Sequence, residues 1–385
     1  MPKVEDHGKM TRTGSIRLSA DDIRQADLAY IVDQLEGHLS RLDGRKLLIT
    51  GGAGFLGYYL VQTVLEWNDT SADDRVEVML LDNFRRGIPP WLEVLGARPD
   101  LTLLTHDITD PFPDDVGPVD FVIHAAGIAS PGLYRRIPIE TMDANVGGLR
   151  NLLDAAVVWK QAGSAPSGFL FYSSSEIYGD PTPDNIPTPE TYRGNVSCTG
   201  PRACYDESKR FGETLAVNFA RVHELPITIV RPFNNYGPGM KINDGRVIAD
   251  FCRSVFGSSD IDMYSDGSPT RTFCYVADAV VGYYRALLLG SRGESYNIGT
   301  DSPEISMRNL AEAVAAAGRD LFGYEGRVRL MQNPEADYLT DNPSRRCPDL
   351  TKARSQLGYA PSISLEEGIR RTLLWYAGNP VGIGE

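Results

Sequence analysis

A tyrosine and a lysine four residues apart are the clearest sign of chemistry in this chain. They stand in the run Tyr205-Asp-Glu-Ser-Lys209, and on a helix this spacing puts both side chains on one face. The ordinary pKa of a tyrosine hydroxyl is about 10, and a nearby ammonium lowers that pKa by favouring the phenolate. The pair predicts a base that removes a proton from an alcohol; a chance pair on a helix is the alternative.

A glycine-rich turn lies upstream of this pair. The run Thr50-Gly-Gly-Ala-Gly-Phe-Leu-Gly57 follows an apolar segment and opens a helical one. Gly51, Gly54 and Gly57 allow a tight turn, close approach of the backbone to a pyrophosphate, and close packing of helix on strand. The helix N-terminus then faces the phosphates of a dinucleotide. An alcohol-deprotonating base beside a nicotinamide predicts hydride transfer.

An acidic residue at the end of the next predicted strand favours NAD over NADP. Asp82 stands where a carboxylate binds a ribose 2′-hydroxyl and repels a 2′-phosphate. Arg85 and Arg86 leave NADP open, because an arginine there can bind that phosphate, and a turn-initiating role is the alternative for Asp82. The other residues predicted to contact the coenzyme lie in the glycine turn and after strand ends: Phe55, Leu56, Asn83, Asp107, Ile108, Ala125 and Ala126.

The elements that must position these residues alternate along the chain. Short apolar runs predict buried strands at residues 46–50, 76–81, 121–124, 169–172 and 227–230. Helical patterns fall at residues 58–66, 146–159, 206–222, 247–255, 276–288, 307–317 and 365–376. The alternation predicts an α/β fold, a Rossmann-type doubly wound parallel sheet covered on both faces. We assign residues 45–235 to an NAD-binding domain and residues 236–385 to a smaller C-terminal α/β substrate-binding domain.

Residues 1–44 precede this alternation and are predicted to be an N-terminal extension. Ser19 followed by Asp22 indicates a helix start. Apolar residues then recur at helical spacing, at Ile23, Leu28, Ile31, Leu35, Leu39 and Leu42. One amphipathic helix cannot bury its own apolar stripe, so it is expected to dock on the body or on a partner. We interpret it as a packing arm without chemistry.

Composition excludes several classes of partner. A net charge of −13 over 385 residues argues against nucleic acid and against an anionic membrane surface. An anionic substrate would therefore need a local basic pocket. The five cysteines are scattered and show no metal-binding spacing, which is typical of a reduced, cytoplasmic protein without a bound metal. No apolar run is long enough to span a membrane.

The motifs together give the chain a family resemblance. With its glycine turn and Tyr205-x-x-x-Lys209, the chain from residue 45 to 377 resembles the extended short-chain dehydrogenases/reductases, which are NAD-dependent nucleotide-sugar epimerases, dehydratases and decarboxylases. Within that family it is most similar to the UDP-glucuronate decarboxylases, or UDP-xylose synthases. The stretches that carry this similarity are residues 106–112, 173–181, 200–210, 243–247, 270–273 and 345–349.

The resemblance implies roles for individual residues. Tyr205 would be the base, Lys209 its partner, and Ser174 or Ser175 would hold a sugar hydroxyl. Glu176 marks the decarboxylase version of the motif and would orient the ring or relay a proton; a buried, hydrogen-bonded carboxylate is the alternative. Arg271 would face the substrate carboxylate and the 4-keto group. The nucleotide and its diphosphate would be held by Asn234, Arg246, Val247, Tyr264 and Arg345.

The implied activity is NAD-dependent decarboxylation of UDP-glucuronate to UDP-xylose through a 4-keto intermediate. The alternatives on the same scaffold are 4-epimerisation, 4,6-dehydration, or release of the 4-keto pentose. An alternative of another class is a non-catalytic NAD-binding regulator. Similar proteins are homodimers built through helices beside the active site. The chain departs from the family pattern at Tyr58-Tyr59, where a small residue and His are usual, and at Gly239, where these decarboxylases carry Arg.

Overall fold

The computed structural model describes residues 18–331 and 340–379. Its strands, in chain order, are β1 (Lys46–Thr50), β2 (Glu77–Asp82), β3 (Leu101–Thr105), β4 (Phe121–His124), β5 (Gly168–Tyr172), β6 (Ile227–Pro232), β7 (Asn235–Tyr236), β8 (Ile261–Met263), β9 (Thr270–Arg271), β10 (Cys274–Tyr275), β11 (Ser295–Ile298), β12 (Ile305–Ser306), β13 (Val328–Leu330) and β14 (Arg345–Arg346). Residues 1–17 of the predicted extension, and residues 332–339 and 380–385 of the predicted substrate domain, lie outside the described part.

The helices alternate with these strands along the chain. In chain order they are α1 (Ala20–Leu39), α2 (Gly57–Thr70), α3 (Pro90–Leu95), α4 (Pro131–Tyr134), α5 (Pro138–Met142), α6 (Leu149–Gln161), α7 (Ala203–Val222), α8 (Val247–Phe256), α9 (Val276–Leu289), α10 (Met307–Phe322), α11 (Thr351–Leu357) and α12 (Leu365–Gly378). A π-helical turn, Asp143–Gly148, leads into α6.

A seven-stranded parallel sheet, in the order β11-β6-β5-β4-β1-β2-β3, forms the centre of the fold. All neighbouring pairs in it are parallel. One apolar cluster joins the sheet to α1, α2 and α9, and a second joins its other face to α6 and α7. The predicted Rossmann-type doubly wound sheet is thus confirmed, with all five predicted strands in it. Two further strands, β3 and β11, were missed.

The chain beyond residue 235 serves two purposes. Helix α9 and strand β11 belong to the central sheet and its cover, since β11 pairs with β6. Helices α8, α10 and α12 pack with the small sheets β13-β8 and β12-β9-β14 beside the sheet's carboxyl edge. The division is therefore less simple than a break at residue 235, and the assignment of the second part to substrate binding stays a prediction.

Helix α1 of the predicted extension docks on the body of the protein. Ser19 and Asp22 form the expected capping box, and the apolar stripe packs on α2, α9 and α12. The buried face also carries a carboxylate that the sequence did not single out. Asp27 is fully buried and accepts hydrogen bonds from the Tyr59 hydroxyl (2.5 Å), the Tyr275 hydroxyl (2.6 Å) and Arg371 Nη1 (2.6 Å).

Two kinds of feature are absent from the described residues. No helix among them is long and apolar enough to cross a membrane. No group of three or more His, Cys, Asp or Glu side chains in the same part of the chain could hold a metal ion. The five cysteines are free thiols, and the cytoplasmic location stays a prediction.

The Asp27 cluster predicts a large effect of one substitution. Asp27→Ala leaves two tyrosine hydroxyls and a guanidinium buried without their acceptor, so we expect the free energy of unfolding to fall by about 3 kcal/mol. Urea denaturation followed by circular dichroism measures the change. Asp33→Ala, at an exposed position of the same helix, should change it by less than about 0.5 kcal/mol. Equal effects of the two variants would contradict the proposed anchoring.

Candidate active site

The predicted site residues meet at the carboxyl edge of the central sheet. Strand β1 runs into the glycine turn, β4 into Ala125 and Ala126, and β5 into Ser173 to Glu176. Because parallel strands end at the same edge, these three segments lie side by side. Helix α7 then brings Tyr205 and Lys209 to the end of β5, where both side chains are buried.

The glycine turn has the shape that close approach of a ligand requires. Gly51 has a φ of +70°, and a Cβ there would lie 2.6 Å from Ala126 Cα. A Cβ on Gly57 would lie 1.9 Å from the Gly52 carbonyl oxygen, so the start of α2 can pack on the turn only with glycine at that position. Leu56 immediately precedes the helix, and Phe55 lies under the Arg246 guanidinium, 5.5 Å from ring centroid to Cζ. The backbone therefore leaves room for a pyrophosphate at the start of α2.

The acidic residue at the end of β2 is tied to this turn. Asp82 accepts hydrogen bonds from the Ala53 and Phe84 amides (3.1 and 2.9 Å), and burial raises its pKa. The two arginines that left NADP open have carboxylate partners of their own. Arg85 pairs with Asp107 (3.4 Å) and Arg86 with Asp244 (3.5 Å). This pairing favours the ribose hydroxyl of NAD over a 2′-phosphate.

The adenosine side of the predicted cleft is braced by polar contacts. Asn83 Nδ2 donates to Asp107 Oδ2 (3.0 Å), which links the ends of β2 and β3. Asn151 Nδ2 donates to the Ile108 carbonyl oxygen (3.1 Å). The Ile108 side chain fills the space that a Cβ on Gly148 would need, 2.6 Å away. These residues lie together as predicted, and their contacts with the coenzyme stay predictions.

Tyr205 lies beside Ser174, not in an environment that lowers its pKa. Burial raises the pKa of Tyr205 to about 12, and a hydrogen bond with the Ser174 side chain opposes that rise only in part. The sequence predicted that Lys209 lowers the pKa of Tyr205. That prediction is wrong for the groups of the chain itself, because the loss of solvation of the phenol outweighs the effect of neighbouring groups on its pKa. Of the two serines left open by the sequence, Ser174 is the one that reaches the phenol. Ser175 is buried in the 3-10 turn that follows.

Lys209 is a buried cation. Its Nζ donates to the Tyr172 carbonyl oxygen (2.9 Å) and lies 5.9 Å from the centroid of the Tyr205 ring. Burial lowers the pKa of Lys209 to about 8. His124 is buried nearby, and burial together with the Lys209 charge lowers its pKa to about 3, so the ring is neutral. Its Nδ1 pairs with Thr50 Oγ1 at 2.8 Å.

Glu176 lies between two buried arginines that the sequence analysis did not select. Arg346 binds both carboxylate oxygens, with Nη2 2.6 Å from Oε2, and Arg202 binds Oε2 as well. Burial alone would raise the pKa of Glu176, but the two guanidiniums outweigh it and hold that pKa well below its usual range. A group that stays ionised relays protons poorly, so the structure favours the alternative of a buried, hydrogen-bonded carboxylate that positions its neighbours.

A second tyrosine faces the base. The rings of Tyr134 and Tyr205 stack with centroids 5.1 Å apart and planes 10° apart. The Tyr134 hydroxyl, Arg202 Nε, Arg346 Nε and Asp206 Oδ1 are buried and have no hydrogen-bond partner among the described residues. Native proteins rarely bury polar atoms without partners. A bound polar ligand or water can supply the missing partners of these four atoms near Tyr205 and Glu176.

Arg271, which was predicted to face the substrate carboxylate, is held by backbone carbonyl groups. Arg271 is buried close to Glu176, but its guanidinium donates to the carbonyl oxygens of Thr270 (2.8 Å) and Ser344 (3.3 Å), and also to that of Pro343. Burial and the Arg346 charge lower its pKa to about 9. Arg271 therefore fixes the 342–344 segment, and its predicted contact with a substrate carboxylate stays a prediction.

Arg345 points away from the Tyr205 pocket. Successive residues of a strand face opposite sides, so Arg346 reaches Glu176 while Arg345 pairs with Glu304 (2.9 and 2.7 Å). Arg345 and Glu304 line an open cavity of about 440 Å³ together with Ser268, Pro269, Thr270 and Ser344. Tyr264 follows β8 and is 38% exposed.

Asn234 and Arg246 stay near the catalytic edge. Asn234 has a φ of +39° and donates to the Thr272 carbonyl oxygen (2.9 Å). Arg246 precedes Val247, the first residue of α8, and its charge acts on Tyr205. Both residues lie where they can reach a ligand that extends from Tyr205, and their roles stay predictions.

The fold and the site define the class of protein. The sheet is doubly wound and carries a glycine cradle after β1, an acid at the end of β2, and a Tyr/Lys pair on the helix beside β5. These features define a coenzyme-dependent enzyme that acts on an alcohol. The chain belongs to the NAD-dependent epimerase/dehydratase family, whose pattern matches residues 47–299.

Within this family, the chain is similar to UDP-glucuronic acid decarboxylases. The chain is 38% identical over 324 residues to UDP-glucuronic acid decarboxylase 5 of Arabidopsis thaliana, covering 84% of this chain and 87% of that one. It is 34% identical over 342 residues to UDP-glucuronic acid decarboxylase 1 of Xenopus tropicalis, covering 88% and 73%.

Solved structures show the same architecture. A UDP-glucose 4-epimerase from Thermotoga maritima with UDP-glucose is 25% identical, with a TM-score of 0.73 over 87% of this chain and 99% of that one. A dTDP-glucose 4,6-dehydratase from Streptomyces venezuelae with NAD bound is 27% identical, with a TM-score of 0.73 over 87% and 97%. NAD is therefore the cofactor of this chain, and the glycine cradle, Asp82 and the partnered Arg85 and Arg86 fit it.

Proposed function

We propose that the chain decarboxylates UDP-glucuronate to UDP-xylose with NAD as a regenerated coenzyme. The observation that carries the proposal is the position of the Glu176 cluster. Two arginines that share one carboxylate lie directly beside the Tyr205 and Ser174 pair. An enzyme that only oxidises and reduces a neutral sugar has no need of this charge. A sugar acid brings a carboxylate that such guanidiniums can bind.

The arginine-rich site has a charge opposite in sign to the net charge of the protein. The protein carries a net charge of −13, yet three buried arginines, Arg202, Arg271 and Arg346, surround Glu176 and Asp206. Burial and the neighbouring Glu176 carboxylate raise the pKa of Asp206, which weakens its negative charge. The pocket is therefore the basic one that an anionic substrate requires. Water-free surroundings strengthen its attraction for a carboxylate.

The first part of the reaction is removal of hydrogen from the sugar's C4 carbinol. Bound NAD supplies an acceptor for the C4 hydrogen and later returns it. Tyr205 takes the proton of the C4 hydroxyl, with Ser174 holding the same oxygen by its hydroxyl group. The positive charges of Lys209 and of the oxidised nicotinamide ring both favour the phenolate, and so oppose the burial that raises the pKa of Tyr205.

The second part is loss of the carboxylate. The 4-keto group lies β to C6, so the C5–C6 bond can break with release of CO2 while its electron pair forms an enolate on the C4 oxygen. A guanidinium placed beforehand stabilises this charge without reorganisation. Arg346 and Arg202 are our choice for this role, because their buried Nε atoms have no hydrogen-bond partner among the described residues, whereas the Arg271 guanidinium donates to backbone carbonyls. A proton from water adds to C5, and Tyr205 returns its proton to the C4 oxygen as C4 is reduced, which completes a pentose.

The nucleotide part of the substrate would extend from this pocket toward the second half of the chain. Asn234, Arg246 and Val247 lie at the catalytic edge, and Tyr264 and Arg345 lie farther out. All of these residues except Asn234 belong to the part after residue 235 that the sequence predicts to bind the substrate. The choice of uridine rests on the named relatives.

A direct assay separates the candidate activities. We expect the NAD-loaded protein to convert UDP-glucuronate into equal amounts of CO2 and UDP-xylose, measured by trapping labelled CO2 and by nucleotide chromatography. Interconversion of UDP-glucose and UDP-galactose without CO2 would favour the epimerase alternative, and CO2 with a 4-keto pentose would favour an early stop. Tyr205→Phe should lose turnover and retain NAD. A wild-type protein that binds NAD but changes no sugar nucleotide would instead be a regulator.

The two neighbouring arginines of β14 provide a matched comparison. Arg346→Ala should lower kcat by at least about 100-fold, because it removes a charge used when CO2 leaves. Arg345→Ala should mainly raise KM, since that side chain faces the outer cavity. Steady-state CO2 release at several UDP-glucuronate concentrations gives both constants. A larger fall of kcat for Arg345→Ala than for Arg346→Ala would reverse the assignment.

We also propose that the protein forms a homodimer through helices α6 and α7. Large apolar side chains are exposed on these helices, with Phe211 50%, Val222 66% and Val158 61% exposed. Both helices cover the sheet beside Tyr205, where similar proteins associate. Sedimentation velocity should give the mass of two chains, and Phe211→Glu should give one. A wild-type protein that sediments as one chain at micromolar concentration would exclude this interface.

A further inference from the structure

A ten-residue loop after β7 crosses the edge of the sheet where the coenzyme is expected. Residues 237–246, here called the strap, connect Tyr236 to helix α8. The strap is tied to segments that follow three different strands of the central sheet. Its interior residues Met240 and Ile242 are 2% and 1% exposed, so it is packed down along its length.

The first tie is to the glycine turn. Gly239 has a φ of +89°, and a Cβ there would lie 2.5 Å from Tyr58 Cβ and 3.0 Å from the Phe55 carbonyl oxygen. The strap backbone at Gly239 therefore packs against Tyr58 and the Phe55 carbonyl oxygen. The two family departures, Tyr58 and Gly239, are in contact: Tyr58 occupies the space that any side chain at 239 would need. The Tyr58 ring packs edge-on against Trp91 and Trp375, with centroids 5.4 and 5.7 Å apart.

The other ties lie on either side of that turn. Toward the adenosine side, Lys241 Nζ donates to the Arg86 carbonyl oxygen (2.8 Å), and Arg86 pairs with Asp244 (3.5 Å). Toward the nicotinamide side, Ser130 Oγ donates to the Asp244 carbonyl oxygen (2.7 Å). The Asp244 side chain is 3% exposed and also pairs with Arg246 (3.1 Å). Asp244 thus connects the strap both to Arg86 on the adenosine side and to Ser130 on the nicotinamide side.

These ties span the path of the dinucleotide. The adenosine end is expected at Asp82 and the nicotinamide end at Lys209, whose Nζ is 3.3 Å from the position of a Cβ on Gly127, just before Ser130 in the chain. A loop fastened at Arg86, beside the glycine turn and at Ser130 spans the interval between these two expected ends. We infer that the strap closes over bound NAD and sets its rate of release, with Asp244 as the positioning residue that fastens it.

The chemistry agrees with such a closure. In the proposed reaction NAD ends each turnover as it began, so catalysis does not require its exchange. The inference rests on the proposed coenzyme site, but its test measures release of NAD and needs no decarboxylation. A failure of the strap proposal would leave the assay for CO2 and UDP-xylose unaffected.

The experiment opens two ties and leaves the nucleotide contacts alone. The full chain is loaded with NAD, freed of excess NAD, and diluted into ADP-ribose; NAD still bound is then measured by chromatography over time. Loss of one hydrogen bond and one partly exposed ion pair in the Ser130→Ala, Arg86→Ala double variant should raise the rate constant for NAD release about tenfold. With saturating NAD, turnover should return to the wild-type value.

A matched control separates the strap from general loss of charge. Arg253→Ala removes an arginine of equal exposure, 50% against 49%, from the helix that follows the strap. It should release NAD at the wild-type rate. Wild-type release from the double variant, or equal acceleration in the control, would overturn the proposal. Reduced turnover of the double variant at saturating NAD would also overturn it, because the ties would then serve the chemistry and not coenzyme retention.

Discussion

The ion cluster around Glu176 is the contact on which the site depends. Glu176 comes from the end of β5, Arg202 from the start of α7 and Arg346 from β14 near the end of the chain. Removing one member of such a buried cluster costs several kcal/mol, because it leaves an uncompensated charge. The contact that joins the two halves of the molecule is therefore also the one that gives the pocket its positive charge.

Burial acts on the base and its partner in opposite directions. It raises the pKa of Tyr205 and lowers that of Lys209, so it favours the neutral form of both. The positive charge of Arg246 opposes this effect of burial on Tyr205, and oxidised NAD would add a further positive charge. Tyr205 would therefore be more easily deprotonated when the oxidised coenzyme is bound. This coupling would favour removal of the sugar proton when oxidised NAD is present to accept the C4 hydrogen.

Much of this architecture is local in sequence and was therefore predictable. The glycine spacing of the turn, the Tyr205/Lys209 pair and the continuous apolar runs of β1 and β4 each lie within a few residues. Strand β3 was missed because four of its five residues are only partly buried or exposed, so its apolar signal is weak. Strand β11 was missed because it is a four-residue strand, Ser-Tyr-Asn-Ile, in a region rich in turns. Its place in the sheet depends on β6, more than 60 residues earlier.

The missed site residues depend on contacts distant in sequence. Arg345 and Arg346 look alike in the sequence, and only strand alternation, with β14 set beside β9, decides which one faces Glu176. Arg202 stood in the most specific stretch of the chain, three residues before Tyr205, which was the available signal. Tyr134 gave no local signal, because its importance comes from stacking on a helix that begins 69 residues later, at Ala203.

The docking of α1 has a practical consequence for anyone who shortens the gene. The family match begins at residue 47, but the folded unit includes Ile31, Leu35 and Leu39 in its main core. A recombinant version that begins at residue 47 would lack α1 and present bare apolar surfaces of α2, α9 and α12 to water. We expect such a product to precipitate, and its inactivity would say nothing about the catalytic residues.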